Sequence, residues 1–154
     1  MSNTPNFVSI LDRPGSEIEK PQPLPVGTYF TRVVGLPRYD RSAKKQTEFV
    51  EFTHQIISAE SDVDPEELEI AGGLTNREGE PRQIKNTFYI TKASAWRLTE
   101  FLEHLGFDFS DGELTPREAA ETSANREVYI SIKHEPSQDG KSVFAKIGGT
   151  ASVD

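Results

Sequence analysis

At 154 residues, the chain is long enough for one domain built around a single hydrophobic core. It contains no cysteine, which excludes disulfides and thiolate metal sites, and its longest apolar runs are far too short to cross a bilayer. A formal net charge of −8 weighs against a protein that binds polyanions, but the charge is segregated.

Arg32, Arg38, Arg41, Lys44 and Lys45 stand together against Asp40 alone, whereas Glu60, Asp62, Asp64, Glu66, Glu67 and Glu69 follow one another with no base between them. Such a distribution is compatible with one positive surface on an acidic protein, and equally with two solvated loops. The start, Met1-Ser2-Asn3-Thr4-Pro5, lacks the basic and then apolar pattern of a secretory signal, so a reducing cytoplasm is expected.

Residues 1–23 read as a flexible N-terminal arm punctuated by Pro5, Pro14, Pro21 and Pro23. Its one apolar piece, Phe7-Val8-Ser9-Ile10-Leu11, is suited to dock as an edge strand or on a neighbouring subunit. The domain is expected over 24–150, with 151–154 as a short tail. Residues 28–34 are rich in aromatic and β-branched types and predict a strand. Residues 35–46 read as a connection broken by Pro37, and 49–57 as a second long strand. Asp64-Pro65-Glu66-Glu67 carries the cap, the N1 proline and the first-turn acids of a short helix, closed by Gly72-Gly73.

A third strand is predicted over 82–90, with Ile84, Asn86, Phe88 and Ile90 on one face and Lys85, Thr87 and Tyr89 on the other. The period then changes. Thr91 or Ser94 can cap a helix whose stripe is Leu98, Phe101, Leu102 and Leu105, ended by Gly106. Thr115-Pro116-Arg117-Glu118 reads as a capping box opening another short helix. Val128, Ile130 and Ile132 then alternate with Tyr129, Ser131 and Lys133, and beyond a turn at 136–140, Val143, Ala145 and Ile147 alternate with Phe144 and Lys146. No internal repeat is present.

This order predicts a mainly β chain with helical insertions: three strands, a helix and two strands, as in the five-stranded OB-type β-barrel, which binds oligonucleotides and oligosaccharides. If the aliphatic faces point inward, three strands present an aromatic beside a base: Tyr89 with Lys85, Tyr129 with Lys133, and Phe144 with Lys146. Rings stack bases and cations follow phosphates, as single-strand binding requires. The plain alternative is that tyrosine and phenylalanine simply pack well on a pleated surface. Arg32 is an uncertain addition to this face. Arg38, Tyr39, Arg41, Lys44 and Lys45 would form a basic loop between the first two strands, again either a contact or an ordinary hairpin tip.

His54, His104 and His134 lack the short spacing of a zinc motif, and surface or capping roles are expected for them. There is no phosphate loop, dinucleotide fingerprint or nucleophile elbow. Neither a metal nor another cofactor is expected, nor a catalytic residue. Trp96 is expected to fill the core or plug the barrel.

Gly27-Thr28-Tyr29, the strand at 49–57, the helix at 96–105 and the closing hairpin at 128–147 together resemble small bacteriophage OB-fold single-stranded-DNA-binding proteins. The resemblance covers about residues 24–150 and lies in patterns of residue type. It implies sequence-independent binding of single-stranded DNA in phage replication or recombination, inside a bacterial host. It further implies replication or recombination proteins as partners and no membrane, with a homo-oligomer compatible. The acidic, aromatic-tipped tail of bacterial single-strand binders has no counterpart in Thr150-Ala151-Ser152-Val153-Asp154. Two other classes fit the same residues. One is a protein-interaction module or acidic nucleic-acid mimic acting through the 60–69 insert. The other is a virion component that exchanges its arm between subunits.

Overall fold

A computed structural model describes residues 22–153, so nearly all of the expected arm, including Phe7 to Leu11, lies outside the described residues. Within them the chain forms strands β1 (Gly27–Arg41) and β2 (Glu48–Ala59), helix α1 (Pro65–Ile70), strand β3 (Gln83–Tyr89), helices α2 (Ala95–His104) and α3 (Pro116–Glu121), and strands β4 (Glu127–Pro136) and β5 (Val143–Ala151). All five strands belong to one antiparallel sheet in the order β3-β2-β1-β4-β5. The sheet is open. Its edges, β3 and β5, approach each other without a ladder between them among the described residues.

Alternation decides which side of each strand is buried. Tyr29, Thr31 and Val33 of β1, Val50, Phe52, His54 and Ile56 of β2, and Val128, Ile130 and Ile132 of β4 all point inward and are buried. Helix α2 covers this face with Leu98, Phe101 and Leu102. The Phe101 ring lies 4.9 Å from that of Phe52 and 5.0 Å from that of Phe88, stacked on the latter. The helix ends where Gly106, at φ +103°, allows the Phe107 N–H to turn back onto the Leu102 carbonyl.

The first strand is longer than its sequence suggests. It was expected to give way to a connection at Gly35, yet it runs on to Arg41, leaving only 42–47 as the hairpin tip. Val34 pairs with Thr53 and Arg38 with Glu51, so four steps along β1 match two along β2. The two extra residues form a bulge at Gly35-Leu36-Pro37, where Gly35 takes φ +72°. Proline is tolerated there because no ladder N–H is required of it.

Helix α1 begins as its residues dictate: the Asp64 carboxylate accepts from the Glu66 and Glu67 N–H groups, with Pro65 in the first turn. Thr115 caps α3 by accepting from the Glu118 N–H at 3.2 Å, while its own hydroxyl donates to the Glu118 carboxylate at 3.1 Å. The acidic insert carrying α1 is fastened to the start of β1. Asp62 accepts from both the backbone N–H and the hydroxyl of Thr28, at 2.9 and 2.8 Å. Gly27 lies so close beneath Val63 that a β-carbon there would sit 2.5 Å from Val63 Cγ2.

Candidate nucleic-acid interface

The two sheet edges and helix α2 enclose a groove of about 820 Å³. Strand β3 supplies Lys85 and Tyr89 from its outer face, and β5 supplies Phe144 and Lys146 from its own. From α2 come Trp96 and Arg97, with the guanidinium 5.5 Å from the indole centroid. Tyr89, Trp96 and Phe144 are 49%, 55% and 48% exposed, so about half of each ring surface is free to meet a ligand. Phe88, Phe101 and Ile147 lie along the same groove on its core side.

The position of Trp96 corrects the expectation of a core or plugging residue. It lies two residues before Leu98 and hence about 200° round the helix from it. The stripe that seats α2 on the core therefore turns Trp96 outward. The helical period carries that signal, and at this position it outweighs the general tendency of tryptophan to be buried.

Beyond the groove, the basic residues differ in how free they are. Lys85 Nζ donates to Thr53 Oγ1 at 2.7 Å, and Lys146 Nζ lies 3.1 Å from a carboxylate oxygen of Glu135, which shares the groove. Arg38 reaches Asp40 at 2.7 Å and Glu51 at 3.3 Å while lying over the Phe49 ring. Phe49 in turn meets Tyr89 edge-on at 6.0 Å, so Arg38, Phe49 and Tyr89 form one continuous array on the outer face. Phe49 is turned outward by its alternation with the buried Val50, a signal present in the sequence. Arg41 pairs with Glu48 at 2.9 Å and Arg32 with Glu127 at 3.5 Å. Lys44 and Lys45 are exposed at the hairpin tip with no ion pair among the described residues. Lys133 is exposed on β4, its stem beside the backbone of Gly148.

The structure does not bring all the nominated rings together. Tyr129 points outward from β4, packs against Phe30 at 5.5 Å and lies beside Glu60, whose negative charge raises its phenol pKa. It pairs with Phe30 of β1, whereas Tyr89 reaches Asp40 through Phe49, so roughly 25 Å of strand separates the two tyrosines. Tyr39 faces a second cleft of about 720 Å³, bounded by the β1–β2 hairpin, α2 and α3. The Arg117 guanidinium lies 4.8 Å from its ring. Burial raises the Tyr39 pKa, Glu121 adds to the rise, and Arg117 opposes it.

Of the histidines, His54 corrects the expectation of a surface or capping role, for it is fully buried. The Thr31 hydroxyl donates to the Val128 carbonyl at 2.9 Å, so toward His54 it acts as an acceptor, 3.0 Å from Nδ1. Nδ1 therefore carries the proton, and Nε2 accepts from the Asn86 amide at 3.3 Å. Burial pushes the His54 pKa down to about 4. His104 bonds to the Thr150 hydroxyl, and His134 donates to the Leu24 carbonyl. No cluster of three potential metal-ligating side chains occurs among the described residues. No helix among them is long and apolar enough to cross a membrane.

No protein-family model matches the chain, and no curated protein matches it.

Proposed function

We propose that this domain is an OB-type module that binds single-stranded DNA, without catalysing a reaction, along the groove between β3 and β5. The observation that carries the reading is the convergence of three half-exposed rings, Tyr89, Trp96 and Phe144, with Lys85 and Arg97 around one groove. Successive bases stack on such rings at about 1–3 kcal/mol each, and the cations track the backbone. The sheet order supports the OB assignment, with β1 central, β2 and β4 beside it, and β3 and β5 facing each other at the seam. The hairpin loops at 42–47 and 137–142 follow the same logic. They adjoin Tyr89 through Phe49 and Phe144 through Val143, at the end where OB modules take oligonucleotides.

An acidic chain can work this way because stacking carries much of the affinity. With Arg38, Arg41 and Lys146 already paired to carboxylates, the salt dependence is shallower than the number of cations suggests. The phage-protein resemblance supports a role in DNA replication or recombination in a bacterial cytoplasm.

Trp96 is the chain's single tryptophan, so its emission reports on the groove directly. Titrating oligothymidine should quench that emission, and anisotropy of the labelled strand should rise in parallel, more weakly at high salt and not at all with a matched duplex. The absence of both signals at micromolar protein and low salt would sink the proposal. Attention would then pass to α1, where Glu66, Glu67 and Glu69 are exposed beside an Ile70 that is 73% exposed, as a surface for a basic protein partner.

A further inference from the structure

We infer that Asn86, on the core side of the groove, reads the bound strand: its amide oxygen accepts a proton from the exocyclic amino group of a base and so favours cytosine or adenine over thymine at that position. The inference rests on the single-stranded-DNA reading of the groove and adds a base preference to it.

Asn86 follows the inward period of β3, between Ile84 and Phe88, yet as part of an edge strand it also lines the groove. It is only 8% exposed, and a polar side chain placed so deeply needs its hydrogen bonds specified. A relay across four strands specifies the one made by its nitrogen. The Thr31 hydroxyl uses its single proton on the Val128 carbonyl, so His54 Nδ1 must donate to Thr31 and Nε2 must accept. The Asn86 amide nitrogen meets that lone pair at 3.3 Å, whereas the flipped amide would set its oxygen against it. Burial, which pushes the His54 pKa down to about 4, keeps the imidazole neutral and Nε2 an acceptor at neutral pH.

With its nitrogen turned toward the core, what Asn86 offers the groove is its oxygen. That oxygen has no hydrogen-bond partner among the described residues and is not sealed from solvent. Other short polar side chains around the groove are engaged: Thr87 donates to Glu51, Ser94 donates to the Tyr89 carbonyl, and Thr150 bonds to His104. As a partner for His54 alone, Asn86 needs only its nitrogen. Its oxygen is a fixed acceptor among the apolar walls made by Phe88, Phe101 and Ile147, where a mismatched polar group is costly. Cytosine and adenine carry an amino donor where thymine carries the O4 carbonyl, which would face Asn86 acceptor against acceptor.

Oligomers of 5-methylcytosine and of thymine isolate this exchange. Their bases share the ring and the methyl group, and a homopolymer presents the same base whatever its register. The wild-type protein should bind the 5-methylcytosine strand about fivefold more tightly. A third strand, of 5-methylpyrimidin-2-one, keeps the cytosine ring with hydrogen in place of the amino group, and should lose that gain. In Asn86→Leu, checked for folding by circular dichroism, the 5-methylcytosine and thymine strands should bind alike. Should that variant fail to fold, the third strand still decides whether the amino group is read. Equal wild-type affinity for the first two strands, or no loss with the third, overturns the inference and leaves the groove reading standing. So does a preference that survives in Asn86→Leu, which would belong to the exposed Glu100 beside the groove. If no strand binds and Trp96 emission is unmoved, the groove reading fails and the inference falls with it.

Discussion

The outer face of the sheet carries an aromatic beside a base at both of its ends, yet the two ends have become different places. At one, Tyr89 stands with Arg38, Phe49 and Lys85 and opens onto a groove with Trp96 and Phe144 on its other walls. At the other, Tyr129 is covered on one side by Phe30, its phenol is met by Glu60, and the nearby Arg32 is paired to Glu127. Alternation put both tyrosines on the same side of the sheet. What distinguishes them is what register and long-range folding set across from each: a groove walled by further exposed rings in one case, a packed ring and two carboxylates in the other.

The largest expected effect lies on the buried face beneath both ends. His54 sits there midway along β2, opposite Val33 and Ile84, its ring 5.5 Å from that of Phe101, which lines the groove. Its pKa is about 4 when folded, against 6.5 for the free side chain. Below pH 6.5 the unfolded chain takes up a proton that the native site refuses. Stability is therefore complete above that pH, falls as pH drops toward 4, and then levels off with respect to this group. The loss should be on the order of 3 kcal/mol, read as a decline in the urea midpoint across that window. Asp62, Asp108 and Asp139 all have depressed pKa values, so their contributions are lost only at lower pH and do not mimic the effect. A flat midpoint between pH 6.5 and 4 would contradict the buried, neutral imidazole.

Ring deletions come next in size. Tyr89→Ala should weaken oligothymidine binding by about 1–3 kcal/mol, while Tyr129→Ala should leave it within error. Equal losses at both sites would erase the distinction between the two ends. The smallest effect concerns charge. Lys44→Ala should reduce the slope of log K against log salt by about 0.7, the share of one released counterion on a single strand, and Arg32→Ala should leave that slope as it was.

How far the sequence reveals this arrangement depends on the range of the interaction concerned. Strand faces and helix caps are local, and Val128-Tyr129-Ile130 or Asp64-Pro65 can be read directly. Pro37 misleads because a proline normally ends a strand, and only the pairing of Val34 with Thr53 and Arg38 with Glu51 reveals a bulge that absorbs it. His54 follows the inward period of Val50, Phe52 and Ile56. Its burial becomes intelligible only when Thr31 and Asn86, 23 and 32 residues away in sequence, are seen to satisfy both ring nitrogens. The groove was not legible at all, because it exists only where the first and last strands of the spatial order come near each other. Trp96 shows the reverse failure: its helical phase was readable, and residue type was allowed to override it.

The attachment of the acidic insert to Gly27 and Thr28 bears on how this scaffold tolerates redesign. By composition the insert is an appendage, the sort of loop a protein engineer would trim or use to host a tag. By construction it is a buttress, with Val63 seated where a β-carbon would otherwise stand and Asp62 holding the first rungs of the central strand. Shortening it would unseat the root of β1, where the buried Tyr29 phenol donates to the Pro25 carbonyl. The exposed turn near Gln138 and Gly140 carries no such load, and lengthening it would leave the sheet intact while crowding the Phe144 end of the groove.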